Sequence, residues 1–289
     1  MMTPAQFQLS AFGDEIADDL DAQIASLCQN DVGFLELRAA WGTNAIELSD
    51  AEIERLRRRL TANQIGVSAV ASPVGKVPID ANFEPELGRL QRALTVARQV
   101  AAPLVRIFSF FIPDGRYREH RDEVIRRLTV FAREAEATPI TLVLENESYT
   151  YGDTAERCRD LIDMVGSPAL RCAFDPANFV QVGLRPYTEA WPLLKPYVTH
   201  VHIKDAVAVD RTGLPPYPER VPAQRLMDCV RLPGEGQGEL LPILRDLMAD
   251  GYHGFLAVEP HLERRLPDQN GPGRFGAAVA ALRSLVREA

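Results

Sequence analysis

The sequence predicts an α/β protein, a single-domain (β/α)8 TIM barrel in which eight strands alternate with helices and a long loop follows strand seven. Short apolar segments rich in β-branched and aromatic residues alternate with longer segments at helical spacing. No G-x-G-x-x-G motif follows the first strand, so an open dinucleotide-binding sheet loses its main support. No linker or change of composition divides the chain, which predicts one domain over residues 1–289.

Each strand is predicted by a short apolar run, and each helix by apolar positions three or four residues apart. The strands are expected at 7–12, 33–38, 67–72, 104–110, 140–145, 170–175, 197–204 and 254–259. The helices are expected at 19–30, from Ser49 onward, and at 86–100, 116–137, 154–165, 187–195, 239–250 and 274–288. Ser49 can cap the second helix, and acidic Asp50 and Glu52 suit its first turn. Strands that alternate with helices are expected to lie parallel.

The predicted strands are regularly spaced, except for one much longer step between the seventh and the eighth. The additional residues, 205–237, are rich in proline and glycine, with the runs RTGLPPYPERVP and LPGEGQG. A long loop at the carboxyl end of a barrel strand predicts a lid or a binding loop. A solvent-exposed connector without a role is the alternative. The GEGQG run is not expected to bind phosphate, because its glutamate opposes an anion.

Composition and charge argue against several classes of protein. Hydrophobic residues make up 46% of the chain and charged residues 25%, as in an ordinary globular protein. The net charge of −8 argues against binding to nucleic acid or to anionic membranes. No apolar run approaches the roughly 20 residues that cross a bilayer, and no signal-peptide pattern is present, so a cytoplasmic protein is expected. The four cysteines form no C-x-x-C pair, which argues against a zinc ribbon or a disulfide scaffold.

Four side chains that can bind a metal end four consecutive predicted strands: Glu145, Asp175, His202 and Glu259. Strand alternation turns them towards the barrel interior, and the carboxyl ends of barrel strands meet at one face. Taken singly, each carboxylate could be a helix cap or a surface charge, and the histidine a core residue. Together, three unpaired carboxylates would repel one another unless a cation lies between them. Three oxygen ligands and one imidazole favour one divalent ion, with Mn²⁺ as first choice and Mg²⁺ or Co²⁺ as alternatives.

These residues give the chain a resemblance to the xylose isomerase-like TIM barrels, the sugar phosphate isomerase/epimerase group that includes inosose dehydratases and ketose 3-epimerases. The resemblance extends from SAFGDEIADDLDAQIASL through IGVSAVASPVGK to LEN, FDPAN, HVHIKD and VEPH, in that order. It implies the metal ligands Glu145, Asp175, His202 and Glu259, of which Glu145 and Glu259 are also the acid–base pair. It further implies polar neighbours at Glu36 and His261, and assembly as a homodimer or homotetramer.

Two departures concern the substrate. Ketohexose 3-epimerases of this group tend to carry a histidine three residues after the sixth-strand aspartate, where this chain has Asn178. They also carry an arginine shortly after the seventh-strand histidine, where this chain has Ile203, Lys204 and Asp205. Both differences argue against the same substrate specificity, whereas the fold and the metal site are unaffected.

The resulting hypothesis is a divalent-metal-dependent sugar isomerase or epimerase of carbohydrate metabolism that acts on a small-molecule sugar or keto-sugar. Glu145 and Glu259 would move a proton next to a carbonyl, through an enediolate stabilised by the metal. The alternative is a metal-dependent lyase or dehydratase that eliminates a β-substituent from a 3-oxo-sugar, an inosose or an oxidised glycoside. A DNA-repair nuclease on a related barrel would need more histidines than the five present. A non-catalytic sugar-binding barrel would be expected to lack a ligand or a base.

Six further residues are predicted to bind substrate: Glu36, Arg38, Glu147, Asn178, Lys204 and His261. Several have structural alternatives. Glu36 and Arg38 could form a buried ion pair, Glu147 could cap the next helix, and Asn178 could orient Asp175.

Lys204 is expected to pair with Asp205. It is also the one Schiff-base candidate, a role that would leave the carboxylate cluster unexplained. Three aromatic residues could form an apolar wall for a sugar ring or belong to the core: Trp41, Phe108 and Phe110. His200, deeper in the barrel, is expected to be structural.

Overall fold

A computed structural model describes residues 7–213, 217 and 220–289 of the chain. At its centre eight strands, all paired in parallel, form a closed barrel. In chain order they are β1 (Gln8–Phe12), β2 (Phe34–Leu37), β3 (Gly66–Ala71), β4 (Leu104–Ile107), β5 (Thr141–Glu145), β6 (Leu170–Phe174), β7 (Val198–Ile203) and β8 (Phe255–Val258). The barrel closes where β1 pairs with β8, and the predicted (β/α)8 fold is confirmed.

Helices cover the outside of the barrel. In chain order they are α1 (Leu20–Gln29), α2 (Asp50–Ala62), α3 (Phe83–Gln99), α4 (Tyr117–Glu136), α5 (Ala155–Val165), α6 (Pro176–Gln181), α7 (Trp191–Leu194), α8 (Ala223–Asp228), α9 (Leu240–Ala249) and α10 (Gly271–Glu288). The predicted start of α2 is confirmed, because Ser49 and Glu52 cap each other's backbone N–H groups. None of the described helices is long and apolar enough to cross a membrane.

The helix predicted over residues 187–195 is wrong. The chain forms a π-helical turn at Pro186–Ala190, the four-residue α7, and a 3-10 turn at Lys195–Tyr197. Each of these three segments carries a proline near its start. Proline lacks the backbone N–H that a continuous helix requires, so the helical run is divided into short pieces.

The fourth strand ends earlier than predicted. It stops at Ile107, and Phe110 adopts a left-handed backbone conformation with φ of 67°. The backbone N–H groups of Phe108 and Phe110 donate to the carbonyls of Val74 and Gly75, at 2.8 Å each. Residues 108–110 therefore bind the loop after β3 rather than extending the barrel strand.

Apolar side chains form an outer layer between the strands and the helices, and two small groups inside the barrel. One interior group consists of Ala69, Leu104, Val143 and Ala173, and the other of Phe12, Ala71 and Ala257. Several polar and charged side chains are also completely buried at the barrel, including Glu36, His200 and His202. Such groups are costly to bury unless they are paired, so the polar end of the barrel is where a site is expected.

The long loop after β7 is fixed to the barrel at its base. Asp205–Ala206 pairs antiparallel with Val230–Arg231. The Asp205 carboxylate accepts hydrogen bonds from the backbone N–H groups of Gly234, Gly236 and Gly238, at 2.8, 3.0 and 2.8 Å. A Cβ atom at Gly236 would lie 2.2 Å from Asp205 Oδ1, so this close approach requires glycine. Residues 214–216, 218 and 219 of the predicted lid lie outside the described part of the chain.

Candidate metal centre and active site

Four candidate metal ligands from consecutive strands meet at the carboxyl end of the barrel. Glu145 ends β5, Asp175 follows β6, His202 lies in β7, and Glu259 follows β8. Each offers one ligand atom, and these atoms all lie within 4.8 Å of one another. All four side chains are buried. The structure thus brings together the residues predicted as ligands, and their binding of a metal stays a prediction.

The imidazole of His202 has the orientation that a metal ligand needs. Its Nε2 lies 3.3 Å from Glu36 Oε1, whereas its Nδ1 faces Glu145 Oε1 at 3.4 Å and Asp175 Oδ2 at 3.6 Å. This Nδ1 has no hydrogen-bond partner among the described residues. Burial opposes the charge of His202, but Glu145 and Glu36 raise its pKa, so without a metal Nδ1 carries a proton directed at the two carboxylates. A divalent ion would replace that proton between Nδ1 and the carboxylate oxygens, while Nε2 continues to donate to Glu36. The donor set therefore fits a divalent ion.

Asp175 combines a structural contact with a ligand position. Its Oδ1 accepts a hydrogen bond of 2.9 Å from the backbone N–H of Asn178 and so caps α6. The side chain of Asn146 binds the backbone of Asp175 on both sides, donating to its carbonyl and accepting from its N–H. These contacts leave Oδ2 directed towards the ligand cluster. The helix-cap alternative is thus true of one oxygen, while the other faces the ligand cluster and Lys204 Nζ, at 2.7 Å, and a metal would share it with that lysine.

Glu36 lies beneath the cluster rather than in the cavity wall. Its Oε2 is 2.6 Å from His200 Nε2, and its Oε1 faces His202. Burial opposes its ionisation, but the charges of the two histidines hold the pKa of Glu36 at about 2. The alternative of an ion pair with Arg38 is wrong, because the carboxylate is occupied by the imidazoles. A role in orienting His202 fits this position better than contact with substrate.

Three cations surround Glu259. Arg38 Nη1 donates to Oε1 at 2.8 Å, His261 Nε2 lies 3.2 Å from the same oxygen, and Lys204 Nζ is 3.1 Å from Oε2. Although burial opposes ionisation, Lys204 and His261 hold the pKa of Glu259 well below its ordinary range. Burial likewise opposes the charge of His261, yet Glu259 and Glu15 raise its pKa to about 10. The carboxylate is therefore ionised and held in one orientation.

The expected pairing of Lys204 with Asp205 is wrong. Lys204 Nζ lies 2.7 Å from Asp175 Oδ2 and reaches Glu259 on its other side. Adjacent residues in a strand point to opposite faces, so Lys204 and Asp205 cannot easily share one environment. Asp205 instead accepts the backbone N–H groups of the glycine-rich turn described above.

The environment of Glu145 includes a residue that the sequence reasoning missed. Arg106, in β4, donates from Nη1 to Glu145 Oε2 at 2.7 Å. Burial opposes ionisation, but His202 and Arg106 hold the pKa of Glu145 well below its ordinary range. The side-chain amide of Asn178 donates to Glu145 Oε1 at 3.1 Å and to the carbonyl of Asn146 at 2.9 Å. A charged residue within the apolar run LVRIF was the available signal for Arg106.

A cavity of about 330 Å³ opens beside the ligand cluster. The described residues in its wall include Glu145, Glu259, Arg38, Asn44, Lys76, Arg106, Glu147, Asn178, Gln181, Lys204 and His261. Glu147 Oε2 accepts a hydrogen bond of 2.6 Å from Lys76, and Thr154 rather than Glu147 caps the next helix. Five of the six residues predicted to bind substrate thus line one cavity, and Glu36 lies below it.

Apolar residues complete the cavity wall. Phe108 belongs to it, together with Leu226, Met227 and Val230 from the loop after β7. The other two predicted aromatic residues do not line it within the described structure. Trp41 lies under the guanidinium of Arg55, and Phe110 packs against Phe131 in the core. The loop after β7 therefore forms part of the site, as the prediction of a binding loop requires.

Comparison with known proteins agrees with this fold. The sequence matches the xylose isomerase-like TIM barrel family over residues 31–285. No curated protein matches the sequence significantly. Three solved structures are similar in fold: the probable 3-DHS dehydratase AsbF of Bacillus anthracis, the IOLI protein with a bound zinc atom, and an L-ribulose 3-epimerase.

The AsbF structure is 16% identical, with a TM-score of 0.74 over 96% of this chain and 99% of that one. The IOLI protein is 15% identical, with a TM-score of 0.77 over 98% and 99% of the two chains. The epimerase is 16% identical, with a TM-score of 0.71 over 98% and 95%. The chain belongs to the xylose isomerase-like TIM barrel family.

Proposed function

We propose that this protein is a divalent-metal-dependent isomerase or epimerase of a small sugar or keto-sugar, with Mn²⁺ as the preferred ion. The observation that carries the proposal is the placement of two buried, ionised glutamates, Glu145 and Glu259, in the wall of one cavity beside Asp175 and His202. The similarity in fold to an L-ribulose 3-epimerase supports the same class of reaction.

A divalent ion held by these four side chains would polarise a substrate carbonyl and stabilise negative charge on its oxygen. The proton transfers would be carried out by side chains of the protein. Glu145 and Glu259 come from β5 and β8 and so approach the cavity from different sides. One carboxylate can take a proton from the carbon next to the carbonyl while the other returns it. Return to the opposite face of the same carbon is epimerisation, and return to the neighbouring carbon is isomerisation.

The surrounding contacts fix both bases for this task. Arg106 and Asn178 hold the two oxygens of Glu145, while Arg38 and Lys204 hold those of Glu259. Fixed donors of this kind keep a base in the geometry of proton transfer without a cost at the moment of reaction.

The test is proton NMR of the Mn²⁺-loaded protein in D₂O with a panel of ketoses and 3-oxo-glycosides. We expect deuterium to enter the carbon next to the carbonyl and an isomer to form. Glu145→Gln and Glu259→Gln should each reduce turnover at least about 1,000-fold, since the amide cannot accept the proton. The exposed Glu84→Gln is the matched control. Normal turnover in either glutamate variant would contradict the assignment.

A lyase or dehydratase is the second candidate, and one observation favours it. The position where ketohexose 3-epimerases tend to carry a histidine is Asn178, and its amide is committed to Glu145 and to the Asn146 carbonyl. The similarity in fold to a probable 3-DHS dehydratase points in the same direction. In the same NMR experiment, exchange followed by loss of a substituent from the product would identify the lyase.

A further inference from the structure

The guanidinium of Arg106 is buried inside the barrel with few partners. The residue is only 5% exposed, and its described ionic contact is with Glu145. Its Nε has no hydrogen-bond partner among the described residues. A buried guanidinium is costly unless its donors are paired, so this arrangement calls for another acceptor.

Arg38, in the same cavity wall, is an arginine whose side-chain nitrogens all have carboxylate partners. Its three nitrogens contact three different carboxylates, those of Asp14, Glu15 and Glu259. Arg106 has one carboxylate, and that one is also a candidate metal ligand and the proposed base. A ligand could therefore supply a hydrogen-bond acceptor to Arg106, whereas each of the three side-chain nitrogens of Arg38 already has one.

A second cation, Lys76, contacts the same aromatic ring as Arg106. The Nζ of Lys76 is 4.6 Å from the centre of the Phe108 ring, and the guanidinium carbon of Arg106 is 4.5 Å from the same ring. Lys76 and Lys204 are two of only three lysines in the chain, and both line the cavity. The described carboxylate partner of Lys76 is Glu147.

The charges on this side of the cavity do not balance. The acidic residues in the described wall are Glu145, Glu147 and Glu259. Glu145 and Glu259 belong to the metal cluster, and Lys204 lies on that side with them. A divalent ion and Lys204 together would balance the three carboxylates of the cluster, those of Glu145, Asp175 and Glu259. Glu147 is then the remaining acidic side chain of the described wall for Arg106 and Lys76, which gives two positive charges against one negative charge. A ligand with a single negative charge would complete the balance.

We propose that the substrate carries a carboxylate that is bound by Arg106 and Lys76. The substrate class is therefore a keto-sugar acid rather than a neutral ketose. Arginine binds a carboxylate with two parallel hydrogen bonds, and the cavity of about 330 Å³ suits a compact ligand of hexose size. This inference rests on the proposed function for the position of the carbonyl, but the binding of the acid can be measured separately.

The experiment compares two matched pairs, D-fructuronate with D-fructose and D-tagaturonate with D-tagatose. Dissociation constants are measured by calorimetry on the Mn²⁺-loaded wild type, and hydrogen exchange in D₂O is followed in parallel. We expect at least one acid to bind tenfold or more tightly than its neutral partner. Lys76→Met should reduce that preference about tenfold, and Arg106→Gln should reduce it further. Lys195→Met is the matched control, because Lys195 pairs with Asp246 and Asp250 outside this cavity.

Equal binding of the acids and the neutral sugars, or no binding of either acid at millimolar concentration, would overturn the inference. A preference that Lys76→Met leaves intact would also overturn it, since the carboxylate would then bind the metal. D-fructose 6-phosphate is included as a dianion, and tighter binding of the phosphate than of the acids would overturn the choice of carboxylate. Hydrogen exchange on the neutral sugars, without tighter binding of the acids, would support the proposed function and contradict this inference. An acid preference without exchange on any sugar supports the inference and contradicts the proposed function.

Discussion

The carboxylate of Glu36 holds two imidazoles beneath the candidate metal centre. His200 and His202 both approach it through Nε2, and all three side chains are completely buried. A carboxylate behind a ligand imidazole fixes the tautomer and the ring orientation, and it makes the ligand nitrogen more basic. At the scale of single residues, we therefore expect the affinity of the site for a metal to depend on Glu36, which does not line the described cavity wall.

Glu36→Gln should lower Mn²⁺ affinity by about 10- to 100-fold, because an amide stabilises the ligand imidazole less than a carboxylate does. The measurement is calorimetric titration of the variant with Mn²⁺. Glu84→Gln, an exposed change of the same chemistry, should leave the affinity unchanged. Unaltered affinity in Glu36→Gln would show that His202 is not a ligand or is oriented by other contacts.

The candidate ligands could be predicted residue by residue, but their neighbours could not. Strand alternation and the strand ends suffice to place Glu145 and Glu259 at one end of a barrel. The partner of Lys204 depends instead on the distance between β6, β7 and β8, which no local pattern contains. The side chain therefore pairs with Asp175, far away in the sequence, and not with its neighbour Asp205.

At the scale of elements, the loop after β7 is held by a carboxylate at its base and by aromatic contacts further out. Asp205 accepts backbone N–H groups from Ala206 and from the glycine-rich turn. Successive backbone N–H groups in a turn form a concave site for an anion, and here the anion is part of the chain. The carboxylate therefore holds the base of the loop in register.

Asp205→Asn should destabilise this base by about 1–3 kcal/mol, because the amide nitrogen would face a backbone donor that needs an acceptor. The variant should show faster amide hydrogen exchange at residues 234–238. Asp210→Asn, in the exposed part of the same loop, is the control. Equal exchange in both variants would mean that the turn holds its shape without the carboxylate.

The outer contact of the loop consists of Tyr149 and Tyr217. Their rings stack with centroids 5.5 Å apart, and the Tyr149 hydroxyl accepts a hydrogen bond of 3.1 Å from the backbone N–H of Val221. Tyr149→Leu should raise the KM for substrate several-fold and speed trypsin cleavage at Arg220, because it removes the ring that Tyr217 and Arg220 contact. Tyr149→Phe retains the ring and should have a smaller effect. Cleavage at the wild-type rate in Tyr149→Leu would contradict a role of the Tyr149 ring in fixing this part of the loop.

At the scale of the whole molecule, closure of the barrel places the ends of eight strands around one cavity. Contacts between neighbouring helices add to the coupling that the core between strands and helices provides. Asp153 is one such contact, because it accepts a hydrogen bond from Tyr117 in α4 and pairs with Arg157 in α5. Its protonation state therefore bears on global stability.

Burial raises the pKa of Asp153 from 3.8 to about 6, against the opposing effects of Arg157 and Tyr117. The folded protein then binds more protons than the unfolded chain between these two pH values, so this contribution to stability is present at pH 4 and is lost as the pH rises through 6. Relative to Asp153→Asn, the wild type should lose about 2–3 kcal/mol of unfolding free energy between pH 4 and 7. Urea denaturation at both pH values measures the difference. The control is Asp122→Asn, since the Asp122 side chain is 95% exposed in the wild type. If the stability of Asp153→Asn and of the wild type changed in parallel with pH, Asp153 would not be the group responsible.

The sequence by itself determined the alternation of strands and helices, the parallel barrel and the four candidate ligands, because hydrophobic periodicity and strand ends are local properties of the chain. The tertiary structure alone decided which charges meet. Arg106 binds Glu145, Lys204 binds Asp175, and Glu36 lies under two histidines. These pairs join residues from different strands, and their distances follow from the closure and register of the barrel.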